Sequence, residues 1–265
     1  MNTLRVAIAG ATGRMGRGLI ALAAADPTVQ LVAATTTADD PLLGQDAGHV
    51  AWIDPLGVPI TTEITTPCDV LIEFTLPPGC AAWARWCAAA GAALVSGTTG
   101  LDSAATAALD AAARTIPVVW APNMSIGINL LLEAVADVAR KLSLDWDVEI
   151  SEIHHRRKVD APSGTAQALA EAICAARGQD PEQTIVYGRE GPCGPRPPGQ
   201  VGMHALRMGA IVGEHEVHFT CEAESVTLRH RVFSRDTFCA GALRAARWLP
   251  GRPPGRYTMR DVLAG

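Results

Sequence analysis

The sequence predicts an α/β protein: a Rossmann-type parallel sheet at the N-terminus, followed by a C-terminal α+β domain with an open mixed or antiparallel sheet. Three observations carry this reading. As far as Trp120, short and nearly unbroken apolar runs alternate with alanine-rich helical stretches, the pattern of a parallel sheet covered on both faces. A glycine-rich turn, Gly10-Ala11-Thr12-Gly13-Arg14-Met15-Gly16, joins the first run to the first helical stretch. After Trp120 the period changes, and two-residue alternation dominates from Ala205 to Phe233.

Leu4 to Ala9 reads as the first strand and Arg14 to Ala25 as the first helix, with Met15, Leu19 and Leu22 on one face. Val29 to Ala34, Val70 to Phe74, Ala92 to Val95 and Pro117 to Trp120 supply further strands. Helices are expected near Ala81–Ala90 and Ser103–Arg114. Ile126 to Leu142 is a long helix with Ile128, Leu131, Leu132, Val135 and Leu142 on a shared face. Asp147 to Ile153 alternates as a half-buried strand, and the proline- and glycine-rich Gly188 to Gly202 reads as a loop. Val217, Phe219 and Cys221, then Val226, Leu228 and Val232, alternate around the polar break Glu222–Ser225, which suggests antiparallel pairing. A last helix runs from Asp236 to Leu249 and is expected to return to the first domain. The expected division is therefore 1–125 with 236–265 as the dinucleotide-binding domain, and 126–235 as the substrate-binding and oligomerisation domain.

The 265 residues are 48% hydrophobic and 18% charged, a globular composition and not a disordered one. A net charge of −5 argues against a general nucleic-acid binder. No stretch approaches the roughly 20 apolar residues of a membrane span, and the N-terminus lacks the apolar core of a signal peptide. The seven cysteines contain no Cys-x-x-Cys pair, which reads as free thiols in a reducing cytoplasm. No metal is expected. His154 and His155 are adjacent and would point apart on a strand, and His215-Glu-Val-His218 sits in a strand context without the spacing of a helical zinc motif. His49, His204 and His230 read as surface or packing residues.

The spacing Gly-x-x-Gly-x-x-Gly is looser than the strict dinucleotide fingerprint. Its context, after a strand and opening a helix, is what such a site needs. Glycines let the backbone approach a pyrophosphate, and the helix N-terminus offers free amides and a positive dipole end. Arg14 could add a charge-assisted contact to phosphate. About 20 residues further on, NAD-preferring proteins often carry an acid for the ribose 2′-hydroxyl. Here the second strand runs into Thr35-Thr36-Thr37, with Asp39 and Asp40 in the loop before Pro41. With neither a carboxylate nor an arginine at the strand end, use of both NADH and NADPH is expected.

The segment Glu152-Ile-His154-His155-Arg156-Arg157-Lys158-Val-Asp160-Ala-Pro162-Ser163-Gly164-Thr165 gathers five cationic or protonatable side chains in an acidic chain. A helical run, Ala166–Ala176, follows it, and Ser163 or a neighbour suits the N-cap. A helix N-terminus beside Lys158 and two imidazoles favours carboxylate ligands. A histidine there can give up a proton near neutral pH.

Together these segments resemble the 4-hydroxy-tetrahydrodipicolinate reductase (dihydrodipicolinate reductase) family. The resemblance rests on Val6–Gly16, Leu42–Gly48, Phe74–Thr75, Gly97–Gly100, Ala121–Gly127, Glu152–Ala166, Gly213–His215, Ser234–Leu249 and Met259–Leu263, in order over nearly the whole chain. It implies reduction of a cyclic dicarboxylate imine with NADH or NADPH in the diaminopimelate–lysine pathway, by a cytoplasmic homotetramer joined through its C-terminal sheets. It implies that Gly10, Ala11, Thr12, Gly13, Arg14 and Met15 bind the pyrophosphate and that Thr36 and Thr37 lie near the adenosine ribose. Phe74, Gly97, Thr98, Thr99, Ala121, Pro122, Asn123 and Met124 are then on the cofactor side. His154 is implied as general acid/base with Lys158 as its partner, and His155, Lys158, Ser163, Gly164 and Thr165 as holders of the substrate carboxylates. Many relatives carry an acidic or an acidic-basic pair where this chain has Thr36-Thr37, so cofactor preference stays open. The alternatives from the residues alone are a dehydrogenase of similar plan acting on an amino or hydroxy acid, and a non-catalytic dinucleotide-sensing protein, against which the histidine–lysine cluster weighs.

Overall fold

The computed structural model describes residues 3–265. The chain separates into two compact units, one running up to Ile126 and including Arg235–Gly265, the other formed by Gly127–Ser234.

The first unit is built from β1 (Leu4–Ala9), α1 (Arg14–Ala24), β2 (Val29–Thr35), α2 (Ala47–Val50), β3 (Ile60–Thr61), β4 (Val70–Glu73), α3 (Pro77–Ala90), β5 (Ala93–Ser96), α4 (Ser103–Ala112) and β6 (Pro117–Trp120). After the second unit the chain returns with α8 (Asp236–Trp248), β12 (Gly255–Tyr257) and α9 (Met259–Ala264). Among the described residues the sheet has seven strands in the order β12-β6-β5-β4-β1-β2-β3, and every pairing is parallel. Alternate residues of each strand serve opposite faces. Val6, Ile8, Ile72, Val95 and Val119 pack with Leu19 and Ile20 of α1 and with Ala242 and Ala246 of α8. Ala7, Ala9, Leu71, Leu94 and Val118 pack with Cys80, Ala84 and Cys87 of α3 and Leu109 of α4. The small residues of β1, Ala7 and Ala9, serve only the second of these faces. Because β1 lies between β2 and β4, the strand order reverses there, and in open α/β sheets ligands bind beyond the strand ends at such a point.

The second unit holds α5 (Ile126–Lys141), β7 (Asp147–His154), α6 (Gly164–Arg177), α7 (Pro181–Thr184), β8 (Ile185–Tyr187), β9 (Val201–Arg207), β10 (Gly213–Thr220) and β11 (Ser225–Val232). Its sheet order is β11-β10-β7-β9-β8. β10 runs antiparallel to both β11 and β7, while β9 is parallel to β7 and β8, so the sheet is mixed. Val148 and Ile150 of β7 and Val217 and Phe219 of β10 face Ile128 and Val135 of α5 and Leu169 and Ile173 of α6.

Several boundaries differ from expectation for local reasons. The helix expected from Ala81 begins at Pro77, because prolines are tolerated in a first turn that needs no amide donors. The loop expected through Gly202 ends at Val201, where β9 starts. Gly202 pairs beside Glu149 in the ladder, and a Cβ there would run into the Glu149 carboxylate. β3, β8 and β12 span two or three residues each, too short for a period to show. No helix among the described residues is long and apolar enough to cross a membrane.

Candidate active site

In the first unit the site begins with the glycine turn. Gly10 adopts φ +77, in the left-handed region, and a Cβ there would lie 2.6 Å from the Phe74 carbonyl oxygen. The amides of Gly10 and Ala11 both donate to the Thr35 carbonyl, and Gly13 N–H donates back to the Gly10 carbonyl. A Cβ on Gly16 would collide with the Gly10 carbonyl oxygen and Ala11. Gly10 and Gly16 thus make one tight strand-to-helix turn possible. Gly13 is the N-cap of α1 and provides no side-chain cap. The first helical bond runs from Arg17 N–H to the Gly13 carbonyl, so the first turn presents amides to an anion. This donor set, with no acidic residue in that turn, fits a dinucleotide pyrophosphate. Arg14 is exposed beside it.

At the end of β2 the structure differs from the expectation that no carboxylate stands there. A carboxylate does stand there, carried by Asp40. Its Oδ2 accepts hydrogen bonds from Thr12 Oγ1 (2.6 Å) and Thr36 Oγ1 (2.7 Å), and its Oδ1 accepts from Leu42 N–H (2.9 Å). The bond from Thr12, with help from Leu42 and Thr36, holds the Asp40 carboxyl below the usual carboxylate range. Thr37 is exposed.

The ends of β4 and β5 are tied by Glu73, which is fully buried. Its Oε2 accepts from Thr75 N–H (3.0 Å), Thr75 Oγ1 (2.7 Å) and Thr98 Oγ1 (2.8 Å), and its Oε1 accepts from Ser96 Oγ. Thr98 therefore turns its hydroxyl inward, and its carbonyl accepts from Trp120 Nε1 (3.0 Å). Thr99 remains exposed. Gly97 lies against the Phe74 ring, which a Cβ at 97 would penetrate. Ala121 N–H donates to the Ser96 carbonyl, Met124 is buried in the core, Asn123 Oδ1 accepts from Ser125 N–H, and Pro122 is exposed.

In the second unit, β7 delivers Glu152 and His154 from the same face of the strand, two residues apart. Glu152 is completely buried and accepts from His154 Nδ1 (2.5 Å), from both terminal nitrogens of Arg207 (2.7 and 2.9 Å) and from Ser163 N–H (3.0 Å). Burial would push this carboxyl up, but the hydrogen bonds from His154 and Arg207 outweigh it and hold it at about 2. An ionised Glu152 can only accept from His154 Nδ1, which orients the ring and leaves Nε2 as its outward nitrogen. Gly213 faces Nε2: a Cβ there would stand 3.0 Å away. Ser163 caps α6 by accepting from Ala166 N–H (3.2 Å), and its hydroxyl lies 3.1 Å from His215 Nε2. His215 is 3% exposed and packs edge-on against the His154 ring, with centroids 5.3 Å apart. Burial, and then the charge of His154, lower its pKa to about 3, so His215 is neutral.

Lys158 follows in the turn after β7 and pairs with Asp160 at 2.8 Å. His155 lies just past the strand end, its carbonyl accepting from Lys158 N–H. Gly164 and Thr165 form the first turn of α6. The fold therefore gathers His154, Lys158, Ser163, Gly164 and Thr165 around one helix end. It adds three residues that sequence reasoning did not single out as site residues: Glu152, Arg207 and His215. Glu152 had a signal, its place two residues before His154. Arg207 and His215 come from β9 and β10, and no local pattern links them to β7.

Family models match both halves of the chain. Residues 4–124 match the dihydrodipicolinate reductase N-terminus and residues 127–263 its C-terminus. The chain belongs to the 4-hydroxy-tetrahydrodipicolinate reductase family. Relatives bearing that name include one from Thiobacillus denitrificans, 48% identical over 98% of this chain and 98% of its own length. Another, from Anaeromyxobacter dehalogenans, is 47% identical over 98% and 97%. Among solved structures, a dipicolinate-bound dihydrodipicolinate reductase from Paenisporosarcina sp. TG-14 has the same fold, with a TM-score of 0.77 at 24% identity, covering 97% of each chain. An amine dehydrogenase from Mycobacterium smegmatis shares the fold at a TM-score of 0.64 and 17% identity, covering 97% of this chain and 95% of its own. This member of the family is an oxidoreductase of lysine and diaminopimelate biosynthesis with a small-molecule substrate.

Proposed function

We propose that His154 and Lys158 carry the chemistry of the reduction of 4-hydroxy-tetrahydrodipicolinate, via dihydrodipicolinate, to tetrahydrodipicolinate, and that the glycine turn holds NADH or NADPH. The observation that carries the assignment is the Glu152–His154 pair (2.5 Å), set beside the N-terminus of α6 and followed by Lys158. A reduced nicotinamide, when bound, supplies the hydride. His154 supplies the proton from Nε2, and the buried Glu152 carboxylate, bonded to Nδ1, fixes the orientation of the ring.

Lys158 neutralises a substrate carboxylate and makes the ring more electrophilic. Its present partner, Asp160, is 54% exposed. Such a pair is worth about 0–1 kcal/mol, so a substrate carboxylate can take its place. Gly164 and Thr165, at the positive end of α6, favour the same carboxylate. The Ser163 amide is taken up by Glu152 and its hydroxyl by the cap, so Ser163 serves mainly by fixing the helix end. His155 completes the carboxylate-binding set beside Lys158. On the cofactor side, Gly10 to Met15 receive the pyrophosphate and Thr36 and Thr37 lie near the ribose. Phe74, Gly97 to Thr99 and Ala121 to Met124 line the nicotinamide side, with Thr98 acting through its buried bond to Glu73.

We further infer a cytoplasmic homotetramer joined through the sheet β7–β11. The seven cysteines are all free, and family resemblance supports the assembly. Sedimentation of the purified chain tests it: a monomer at micromolar concentration would overturn it.

For the chemistry, His154→Ala and Lys158→Ala are each expected to lower kcat by about 10²-fold or more. The assay supplies the freshly formed pathway intermediate and follows NADH and NADPH oxidation in parallel. Wild-type turnover in both variants would refute the assignment.

A further inference from the structure

We propose that Asp40 reads the adenosine ribose of the cofactor: its carboxylate accepts from the 2′-hydroxyl and repels a 2′-phosphate, so this chain prefers NADH to NADPH. The inference rests on the proposed role of the glycine turn and names the discriminating residue that Thr36 and Thr37 cannot supply.

The position follows from the hydrogen bonds. Thr36 is the first residue past β2, and Thr12 lies within the glycine turn. Their hydroxyls are 2.9 Å apart, and each is within 2.7 Å of Asp40 Oδ2. The carboxylate is thus held between the two backbone segments that frame the ribose subsite of a dinucleotide fold, at the end of the second strand. It arrives there by a return of the chain. Asp40 N–H donates to the Thr37 carbonyl, and Asp40 Oδ1 takes the Leu42 amide, which closes a tight turn before Pro41. The acid stands late in sequence and on target in space.

Charge decides the sign of the preference. The Asp40 carboxylate accepts three hydrogen bonds and still has lone pairs to offer a ribose hydroxyl. A phosphate there would set two anionic groups side by side, and like charges in a binding site cost several kcal/mol. The cation next to it, Arg17, is already engaged. Its Nε donates to the Thr12 carbonyl (2.9 Å) and its guanidinium lies 4.6 Å from the centre of the Trp52 ring. Asp39 precedes Asp40 but is exposed, and its carboxylate bonds its own turn through Thr37.

Equilibrium titration of the full chain, followed by nicotinamide fluorescence, tests the proposal without turnover. NADH is expected to bind at least about tenfold more tightly than NADPH. Asp40→Asn and Asp40→Ser are expected to reduce that ratio by about tenfold, chiefly through tighter NADPH binding. Asp39→Asn, which removes the same charge one residue away, is expected to keep the wild-type ratio. Independently of any variant's folding, 2′-deoxy-NADH should bind the wild-type chain about tenfold more weakly than NADH. Equal binding of NADH and its 2′-deoxy form, or an unchanged nucleotide ratio in folded Asp40 variants, overturns the assignment of Asp40 alone. A lack of saturable binding by either nucleotide overturns the cofactor reading of the glycine turn, and Asp40 with it.

Discussion

In the function proposed above, the glycine turn of the first unit and the histidine cluster of the second present positive charge to an anionic ligand by opposite means. The turn uses backbone alone. Its positive potential comes from amides at the start of α1, and its demands on sequence are mostly negative: no Cβ at Gly10 or Gly16. The cluster uses side chains from β7, β9, β10 and the cap of α6, including an ionised glutamate with no exposed surface. A backbone site is cheap to build and tolerant of its neighbours' chemistry. A side-chain site is specific and vulnerable, because each buried polar group depends on the others.

That contrast predicts different failures. The largest effect is expected at Glu152. Glu152→Ala strands Arg207 and releases His154 in a buried setting, and breaking a buried ion pair from one side costs about 3–5 kcal/mol. Urea unfolding of the purified variant measures this, and a loss below about 1 kcal/mol would show that the cluster tolerates a missing member as the turn does. Gly10→Ala should cost about 1–3 kcal/mol, the usual range for backbone strain, and should weaken NADH binding because the turn must open. Unchanged stability and binding there would remove the steric account of the turn.

The smallest effect is a slope with pH. His215 takes up its proton at about 3 in the folded chain, against an ordinary value of 6.5. The unfolded chain therefore binds more protons between those values, and stability falls as pH drops from 6.5 towards 3. The expected slope is about 1 kcal/mol per pH unit. Glu152 adds a separate loss at lower pH. Its folded value of about 2 lies under the ordinary 4.5, so its contribution is complete above 4.5 and disappears as pH falls towards 2. Thermal melts between pH 7 and 5 should show the first slope in the wild type and its reduction in His215→Asn. A slope that persists unchanged would assign the acid sensitivity to another group.

The two sites also differ in how far they can be read from the chain. Gly10, Gly13 and Gly16 lie within seven consecutive residues, and their consequence is local, so spacing and context were enough. The same holds for Ser163 as the cap of α6, since a cap acts on an amide three residues away. Long apolar strands such as Leu4–Ala9 announced themselves by composition. The two-residue β3 and the three-residue β8 and β12 did not, because their pairing is decided by the neighbouring strand. Arg207 and His215 escaped for the same reason: they meet β7 only through sheet register, with Arg207 opposite His154 on β9 and His215 opposite Glu152 on β10.

By itself, then, the sequence determined the fold class, the tight turn after β1 and the motif that marks the family, because each depends on residues close along the chain. Tertiary structure alone decided that Glu152 would be ionised at the centre of a buried network and that His215 would be neutral, because protonation depends on burial and on partners from other strands. It also decided that a carboxylate stands at the end of β2. The strand ends in threonines, and only the folded return of the chain carries Asp40 back to Thr12 and Thr36.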